Sequence, residues 1–335
     1  MAVVAAAQMT PEEFIRTAQS IEAEVGRTIV GQAELLRGVL TCVIVGGHAL
    51  LEGLPGLGKT ATVRTLGEVL DLQFSRVQFT PDLMPSDITG TNIIHEDEHG
   101  NRDFRFQSGP VFANLVLADE INRATPKTQS ALLEAMQEKA VTVGNARHPL
   151  PDPFFVLATQ NPVDMEGTYP LPEAQLDRFL YKLLVPFPDA RDLVQILERT
   201  TGGAEAGGRK VGDAPTVRAM SDLARAVPVA PHVLEHAAEV VLLTHPEHPH
   251  APQLVRRYVR YGSSPRGAQS LVLGAKVNAL LDGRYNASIE DINAVALPAL
   301  RHRLIRNYEG ESEGITADQI VQQVTESLTS AAARI

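Results

Sequence analysis

The chain has 335 residues and a formal net charge of −10, from 30 Lys and Arg against 40 Asp and Glu. A protein that binds nucleic acid regardless of sequence gains affinity from cationic side chains that neutralise phosphates, so this balance disfavours that class. Hydrophobic residues make up 44% of the chain, enough to fill real cores, and the length suggests about two domains. The single cysteine, Cys42, lies in an apolar stretch and is predicted to be a core residue, which excludes an internal disulfide and a thiolate metal cage.

Two features of the N-terminal part bear on targeting. Residues 1–9 are mostly apolar, but no basic residue precedes Arg16, so we predict an N-terminal arm rather than a signal peptide. No stretch reaches the roughly 18 uninterrupted apolar residues that a membrane span requires, because the best candidate, residues 39–51, contains glycines and a histidine. We expect no direct membrane insertion and a cytoplasmic location.

The first predicted elements are two helices. Residues 10–13 read T-P-E-E, a capping box with proline at the first helical position, and apolar residues then recur at helical spacing from Phe14 to Val25. The break at residues 30–32 precedes a second helix over residues 33–45 with its own apolar stripe. This helix leads into the first strand.

Five short apolar runs alternate with helical patterns in the next part of the chain. This alternation is typical of a mostly parallel sheet with crossover helices, which is an α/β fold. The runs that predict its five strands are residues 48–52, 74–78, 115–119, 154–159 and 181–185.

Two hairpins and a second domain complete the predicted organisation. Residues 91–106 form a polar hairpin with an acidic tip at 96–101, and residues 141–151 form a second hairpin. Beyond residue 188 the apolar pattern becomes helical to the C-terminus, so we predict an α/β domain over residues 1–188 and a smaller all-α domain over 189–335. The Gly- and Ala-rich residues 201–214 are predicted to form a flexible loop.

The most specific motif in the chain follows the first predicted strand. Residues 53–60 read G-L-P-G-L-G-K-T and fill every required position of the pattern G-x-x-x-x-G-K-[ST]. The glycines allow backbone N–H groups to surround a triphosphate, and the next helix directs the positive end of its dipole at the same charge. In this arrangement Lys59 contacts the β and γ oxygens and the Thr60 hydroxyl binds Mg²⁺. The predicted phosphate-binding residues are Pro55, Gly56, Leu57, Gly58, Lys59, Thr60 and Ala61.

Polar side chains end the third and fourth predicted strands. The third ends L-V-L-A-D-E, which brings Asp119 and Glu120 to the sheet edge where open α/β folds bind ligands. Asp119 is predicted to hold Mg²⁺ through its water shell, and Glu120 to polarise the attacking water as a general base. Asn161, after the fourth strand, is placed to orient water against the γ-phosphate. The alternative for Asp119 and Glu120 is a solvated strand end, and the alternative for Asn161 is a polar turn before Pro162.

Together these segments resemble the MoxR family of AAA+ ATPases, over about residues 25–275. A run of five motifs in one order is far more specific than any one of them. The segments that carry the resemblance are G-L-P-G-L-G-K-T at 53–60, D-E-I-N-R-A at 119–124, K-T-Q-S-A-L-L-E-A-M-Q-E at 127–138, A-T-Q-N-P at 158–162 and G-T-Y-P-L-P-E-A-Q-L-D-R-F at 167–179.

The resemblance implies a role for individual residues. Lys59 and Thr60 correspond to Walker A, Asp119 and Glu120 to Walker B, and Asn161 to sensor 1. The adenine-side segment corresponds to Val30, Gly31 and Gln32.

It also implies arginines that contact a nucleotide. Arg178 resembles the arginine finger, which acts on the ATP of a neighbouring subunit, and Arg123 stays open as a second candidate for that role. Arg266, in the first turn of a helix capped by Ser264, resembles sensor 2.

The family's function is the main expectation for this chain. It implies a ring, expected to be hexameric, that hydrolyses ATP with Mg²⁺ and remodels a partner protein as a chaperone, in complex assembly or in metal-cofactor insertion. Partners of the family often carry a von Willebrand factor A domain. The hairpin at 91–106 corresponds to a helix-2 insertion and that at 141–150 to a pre-sensor-1 hairpin, both facing a central pore. The acidic tip favours a basic protein segment over nucleic acid, although a solvated turn is an equal alternative.

Other interpretations stay open. A nucleic-acid motor is disfavoured by the acidic balance, and a nucleotide-gated scaffold by the intact catalytic set. Three arginines interleaved with tyrosines resemble a nucleic-acid patch, although a helical surface is the more common explanation. A cluster of three histidines is a weak metal candidate. These residues are Arg256, Arg257, Arg260, Tyr258 and Tyr261, and His245, His248 and His250.

Overall fold

The N-terminal elements follow the predicted order. The computed structural model describes residues 9–96, 98–161, 167–201 and 208–332, so most of the predicted N-terminal arm lies outside the described residues. The capping box is present, since the Thr10 hydroxyl accepts a hydrogen bond from the Glu13 N–H and the Glu13 carboxylate accepts one from the Thr10 N–H. The elements are α1 (Pro11–Gly26), α2 (Ala33–Val45), β1 (Ala49–Glu52), α3 (Lys59–Val69) and β2 (Phe74–Gln78).

The next part contains the remaining strands of the central sheet and both hairpins. Its helices and strands are α4 (Pro85–Thr89), β3 (Gly90–Glu96), β4 (Arg102–Ser108), β5 (Leu115–Asp119), α5 (Pro126–Glu138), β6 (Ala140–Val143), β7 (Ala146–Pro149), β8 (Phe155–Gln160), α6 (Glu173–Leu176) and β9 (Tyr181–Leu184). A 3₁₀ turn, Ile121–Arg123, follows β5 directly.

The five-stranded sheet has the order β2-β5-β8-β1-β9, and all its neighbouring strands are parallel. The predicted α/β class is therefore confirmed. Alternate residues of each central strand face opposite sides, and both sides are buried: Leu115 and Leu117 belong to one hydrophobic cluster, Val116 and Ala118 to another. Burial on both faces explains why these strands read as continuous apolar runs. The arrangement brings the carboxyl ends of β1, β5 and β8 to one edge.

The two hairpins pack against each other beside the sheet. The ring of Phe106, on β4, stacks on that of His148, on β7, with a centroid distance of 3.8 Å. Ile94 and Phe104 face each other across β3 and β4 and are 65% and 77% exposed. The hairpin therefore presents an apolar pair to solvent; Asp97, in the predicted acidic tip, lies outside the described residues.

The C-terminal region is helical, with one short antiparallel strand pair that the sequence did not indicate. One hydrophobic cluster joins this region to α1 and α2, so it packs directly on the N-terminal helices. The division of the chain at residue 188 stays a prediction. The elements are α7 (Ala190–Thr201), α8 (Ala214–Ala226), α9 (Pro231–Leu242), α10 (Gln253–Tyr258), β10 (Val259–Tyr261), α11 (Pro265–Leu281), α12 (Ile289–Ala294), α13 (Ala296–Leu300), β11 (Ile305–Arg306), α14 (Tyr308–Ser312) and α15 (Ala317–Ala332).

The loop predicted at residues 201–214 is only partly described. Residues 202–207 lie outside the described part of the chain. The N–H groups of Val211 and Gly212 donate to the Val69 carbonyl at the end of α3, at 2.8 and 3.1 Å. This end of the loop is therefore held against the α/β part.

The alternative sites in the C-terminal region have structural explanations. Arg257 forms ion pairs with Glu309 at 2.5 Å and Glu313 at 2.8 Å, so its charge is used within the region. Among the described residues, no group of three or more His, Cys, Asp or Glu side chains could hold a metal ion, which leaves the histidine cluster without a metal site. Within the same residues, no helix is both long and apolar enough to cross a membrane.

Candidate nucleotide-binding site

The loop between β1 and α3 depends on glycine at two positions. Gly56 and Gly58 have φ angles of 82° and 75°, in the left-handed region where residues with a Cβ are strained. Gly58 directly precedes the first residue of α3, so the free N–H groups of the helix start face the interior of the loop. The loop therefore presents backbone donors and a positive helix end on the same side.

Lys59 carries the positive charge of this loop. Its side chain is almost fully buried, and its Nζ donates a 2.6 Å hydrogen bond to the Gly53 carbonyl. Burial lowers the pKa of Lys59, while Asp119, Glu120 and Glu52 act in the opposite direction. The nearby carboxylates thus favour the protonated ammonium that a phosphate would bind.

The loop forms one wall of a cavity of about 400 Å³ at the carboxyl edge of the sheet. The other walls come from the ends of β2, β5 and β8, so residues distant in sequence face the same space. The lining consists of Pro55, Gly56, Leu57, Gly58, Lys59, Thr60, Ala61, Arg76, Gln78, Asp119, Glu120, Thr159 and Asn161.

Asp119 is held from two sides. Its Oδ1 accepts a 2.6 Å hydrogen bond from the Thr159 hydroxyl, and its Oδ2 accepts one of 2.6 Å from Nη2 of Arg76. Both partners come from neighbouring strands, β8 and β2. The carboxylate is therefore fixed in orientation at the cavity wall.

Glu120 has an unusual backbone conformation. Its φ of 55° and ψ of 50° are left-handed, which costs a non-glycine residue about 1–2 kcal/mol. Its N–H donates to the Thr159 hydroxyl at 2.8 Å. Its Oε2 accepts hydrogen bonds from Nε2 of Gln78 at 3.0 Å and from Nη1 of Arg123 at 2.8 Å. Arg123, the second candidate for an arginine acting on a neighbour, is thus bonded to the Glu120 of its own chain.

Sequence reasoning missed three residues of this cavity: Arg76, Gln78 and Thr159. Arg76 and Gln78 alternate on β2, so both point to one side of that strand. The sequence contains this alternation, but it does not show that β2 lies next to β5, where the register pairs Gln78 with Asp119. Thr159 belongs to the A-T-Q-N-P motif, but the motif does not indicate which groups its hydroxyl contacts.

The cavity residues fit a magnesium ion bound together with a nucleotide. Thr60 and Asp119 supply the hydroxyl and carboxylate oxygens that Mg²⁺ prefers, and both line the cavity beside the buried Lys59. When bound, the ion neutralises charge on the β- and γ-phosphate oxygens. The chain itself fixes the two ligand side chains. Thr60 lies in the first turn of α3, and the Asp119 carboxylate is held by its hydrogen bond from Thr159.

The predicted adenine-side segment is attached to the loop through Gln32. Its Nε2 donates to the Leu57 carbonyl at 2.8 Å, and its Oε1 accepts from the Thr62 hydroxyl at 3.2 Å. The cavity lining includes none of Val30, Gly31 and Gln32, although all three are described residues. Gly31 instead faces Asp192 of α7, so closely that a Cβ would clash with that carboxylate.

Arg178 and Arg266 lie on a different side of the molecule. Both line a second cavity of about 190 Å³, whose other lining residues are His48, Met136 and Gln137. Nη1 of Arg178 donates to the Leu133 carbonyl at 2.9 Å, and Nη1 of Arg266 lies 3.4 Å from Oδ2 of Asp177. The structure therefore brings the two predicted arginines together, but not with the Lys59 of their own chain.

Comparisons with known proteins agree on one family. Residues 48–181 match the model of the ATPase family associated with various cellular activities (AAA), and residues 251–324 match that of the AAA lid domain. The chain is similar to the chaperone MoxR1 of Mycobacterium tuberculosis, with 39% identity over 91% of this chain and 80% of that protein. It is 32% identical to the protein MoxR of Methylorubrum extorquens, over 90% of this chain and 92% of that one.

A solved structure supports the same assignment. The fold is similar to that of a candidate ATPase from Cytophaga hutchinsonii, with a TM-score of 0.88, 41% identity and coverage of 95% of this chain and 96% of that one. The C-terminal helical region is thus an AAA lid, and the chain belongs to the MoxR family of AAA+ ATPases.

Proposed function

We propose that this chain binds ATP with Mg²⁺ in the 400 Å³ cavity and hydrolyses it to ADP and phosphate. The observation that carries the proposal is the convergence of Lys59, Asp119, Glu120 and Asn161 on that cavity, from three separate segments of the chain. Lys59 binds the β- and γ-phosphates, and Thr60 and Asp119 hold the ion. Glu120 accepts a proton from the attacking water, and Asn161 orients that water.

The same proposal places Arg178 and Arg266 at the active site of a neighbouring subunit. The transition state of phosphoryl transfer carries charge that an arginine stabilises, and neither arginine lines the cavity of its own chain. In a ring, each subunit would present the face that carries Arg178 and Arg266 to the nucleotide cavity of the next subunit. We expect this ring to contain six subunits. Arg123 is the weaker candidate because it already bonds to Glu120 within the chain.

We further propose that hydrolysis drives chaperone-like remodelling of a client protein, in complex assembly or metal-cofactor insertion. A related protein of Mycobacterium tuberculosis is named a chaperone. The exposed pair Ile94 and Phe104 supports a protein client, because apolar side chains gain from contact with a protein surface and contribute little to binding phosphates. An adaptor with a von Willebrand factor A domain is the partner we would test first.

Mixing two inactive variants tests the shared active site. Lys59→Ala removes the phosphate-binding lysine and Arg178→Ala removes the arginine, so each protein alone should be nearly inactive. After subunit exchange, an Arg178→Ala subunit with intact Lys59 meets a Lys59→Ala neighbour with intact Arg178. About a quarter of the interfaces are then complete, and activity should return in proportion if sites act independently. No recovery despite demonstrated exchange would contradict the assignment of Arg178, and the mixture should then be repeated with Arg123→Ala.

A further inference from the structure

Arg303 is a buried arginine of the lid that uses its whole hydrogen-bonding capacity. It lies in the turn after α13, and its side chain is 2% exposed. A guanidinium has five N–H donors, and each of the five reaches an acceptor here. The acceptors are Oδ1 of Asp177 at 2.9 Å, the carbonyl oxygens of Asp177 at 3.2 Å, Phe179 at 2.7 Å and Leu180 at 3.1 Å, and that of Ala299.

Four of these five acceptors belong to residues 177–180, the segment that contains Arg178. The neighbours of Arg303 reinforce the contact. Nε2 of His302 lies 3.0 Å from the Phe179 carbonyl, and Nη1 of Arg301 donates to the Lys182 carbonyl at 3.3 Å. Three consecutive lid residues therefore hold the backbone on the C-terminal side of Arg178.

Asp177 connects the same segment to a second part of the lid. Its Oδ1 also accepts a 2.8 Å hydrogen bond from the Ser264 hydroxyl, and its Oδ2 lies 3.4 Å from Nη1 of Arg266. The carboxylate thus joins Arg303, Ser264 and Arg266 at the residue next to Arg178. The Arg303 side chain is 2% exposed and that of Asp177 is 18% exposed, so water competes little for the Arg303 side of this ion pair.

The Arg178 side chain itself has few contacts that could fix it. Nη1 donates to the Leu133 carbonyl, while Nε is buried without a hydrogen-bond partner among the described residues. The direction of the side chain therefore depends on its backbone. That backbone is held by Arg303, on the lid.

We propose that Arg303, with Asp177 as its counterion, is a positioning residue that aims Arg178 at the neighbouring active site. This inference rests on the proposed function, in which Arg178 acts across the subunit interface. Its consequence is that the orientation of the lid of one subunit sets the activity of the next subunit, without any contact between Arg303 and nucleotide.

Arg303→Lys is the test substitution, because it keeps the charge and replaces five donors in a fixed fork with one ammonium that cannot reach the same acceptors. Arg284→Lys is the matched control. Arg284 also belongs to the lid and pairs at 2.5 Å with Asp291, a side chain that is 1% exposed. Its hydrogen bonds go to Asp282 and Asp291, away from residues 177–182.

The experiment places each substitution on one side of the interface at a time, in full-length protein. In the donor arm, Lys59→Ala/Arg303→Lys is mixed with Arg178→Ala. In the acceptor arm, Lys59→Ala is mixed with Arg178→Ala/Arg303→Lys. The readouts are the ATP hydrolysis rate relative to the parent mixture and, for each protein, ATP affinity and subunit exchange.

A positioning role predicts an asymmetric result. The recovered rate should fall at least tenfold in the donor arm, since a displacement of about 1 Å commonly costs about a hundredfold in rate. It should stay within about twofold of the parent mixture in the acceptor arm, where Arg303→Lys lies on the subunit that supplies the nucleotide cavity and has no Arg178 to position. Arg284→Lys should leave both arms unchanged.

Three results would overturn the inference. Equal losses in both arms would show that Arg303 only stabilises the fold, and full recovery in the donor arm would show that Arg178 needs no such support. A parent mixture that recovers nothing would remove the interface function of Arg178, and the role of Arg303 with it. The first two results would contradict the role of Arg303 and leave the proposed ATPase function intact. The third would contradict the shared active site itself, so a failure of this inference can be told apart from a failure of the proposed function.

Discussion

The hydroxyl of Thr159 donates a 2.6 Å hydrogen bond to Oδ1 of Asp119. The hydroxyl oxygen of Thr159 also accepts a 2.8 Å hydrogen bond from the Glu120 N–H. One hydroxyl at the end of β8 therefore fixes both the proposed magnesium ligand and the backbone of the proposed base, at the end of β5. Because Glu120 is held in a left-handed conformation, the N–H contact also offsets part of its backbone strain.

Thr159→Val should impair hydrolysis more than binding. Valine has a similar shape but leaves the Glu120 N–H without its acceptor and leaves the Asp119 carboxylate held by Arg76 alone. We therefore expect kcat to fall by about 10- to 100-fold while ATP affinity changes by less than about threefold. Thr159→Ser, which keeps the hydroxyl, is the control and should retain most activity. A valine variant with wild-type kcat would show that the bridge does not position Glu120.

Lys59→Ala should weaken ATP binding. A hydrogen bond to a charged group contributes about 1.5–3 kcal/mol, which corresponds to a loss of at least about tenfold in affinity by calorimetry. Lys182→Ala is a suitable control, since Lys182 pairs with Glu52 at 2.8 Å near the same sheet edge but does not line the cavity. Undiminished affinity in Lys59→Ala would contradict the site.

Acid should destabilise the fold through buried histidines. Burial lowers the pKa of His48 from 6.5 to about 4, and the neutral ring is bonded on both sides, to the Val156 N–H and the Met136 carbonyl. The unfolded chain takes up a proton near pH 6.5 and the folded chain only near pH 4. Stability due to this group is therefore complete above pH 6.5 and falls by about 3 kcal/mol as the pH drops to 4. Burial also lowers the pKa of His302, which acts in the same direction.

The measurement is chemical denaturation of the nucleotide-free protein between pH 7 and pH 4.5. His48→Gln cannot take up the proton, so its free energy of unfolding should decline less steeply with falling pH than that of the wild type. His232→Gln, at an exposed position, should leave the slope unchanged. Equal slopes for wild type and His48→Gln would exclude His48 as the source.

Nucleic acid should neither bind tightly nor raise the rate of ATP hydrolysis at physiological salt. The chain is acidic overall, and Arg257, in the segment of arginines and tyrosines at residues 256–261, forms ion pairs with Glu309 and Glu313. Hydrolysis should be measured with and without single- and double-stranded DNA at two salt concentrations. A several-fold increase that disappears at high salt would favour a nucleic-acid motor.

Local patterns predicted most of the α/β part. The strands at residues 74–78 and 115–119 have the predicted bounds, because a run of apolar residues between turns is a local signal. The bounds of the helix at 33–45 were also correct. Cys42 is buried, as expected from its apolar surroundings.

Contacts between distant residues could not be predicted in the same way. Arg303 and Asp177 are separated by 126 positions, and nothing near either residue indicates the other. Likewise, the proximity of Arg178 to Arg266 follows from how the lid packs on the sheet. Motifs could identify both arginines, whereas only the fold shows that they lie apart from Lys59 of their own chain.

The most direct test of the central claim is the turnover of Glu120→Gln beside that of the wild type. Glutamine keeps the size of the side chain but cannot accept the proton of the attacking water, so hydrolysis should fall by about 10²–10⁴. The ATP affinity of Glu120→Gln should stay within about threefold of that of the wild type. ATP-bound oligomers should accumulate in the variant and be detected by size-exclusion chromatography. Wild-type turnover in Glu120→Gln, or the absence of hydrolysis in the wild-type oligomer, would contradict the assignment of this cavity as an ATPase site.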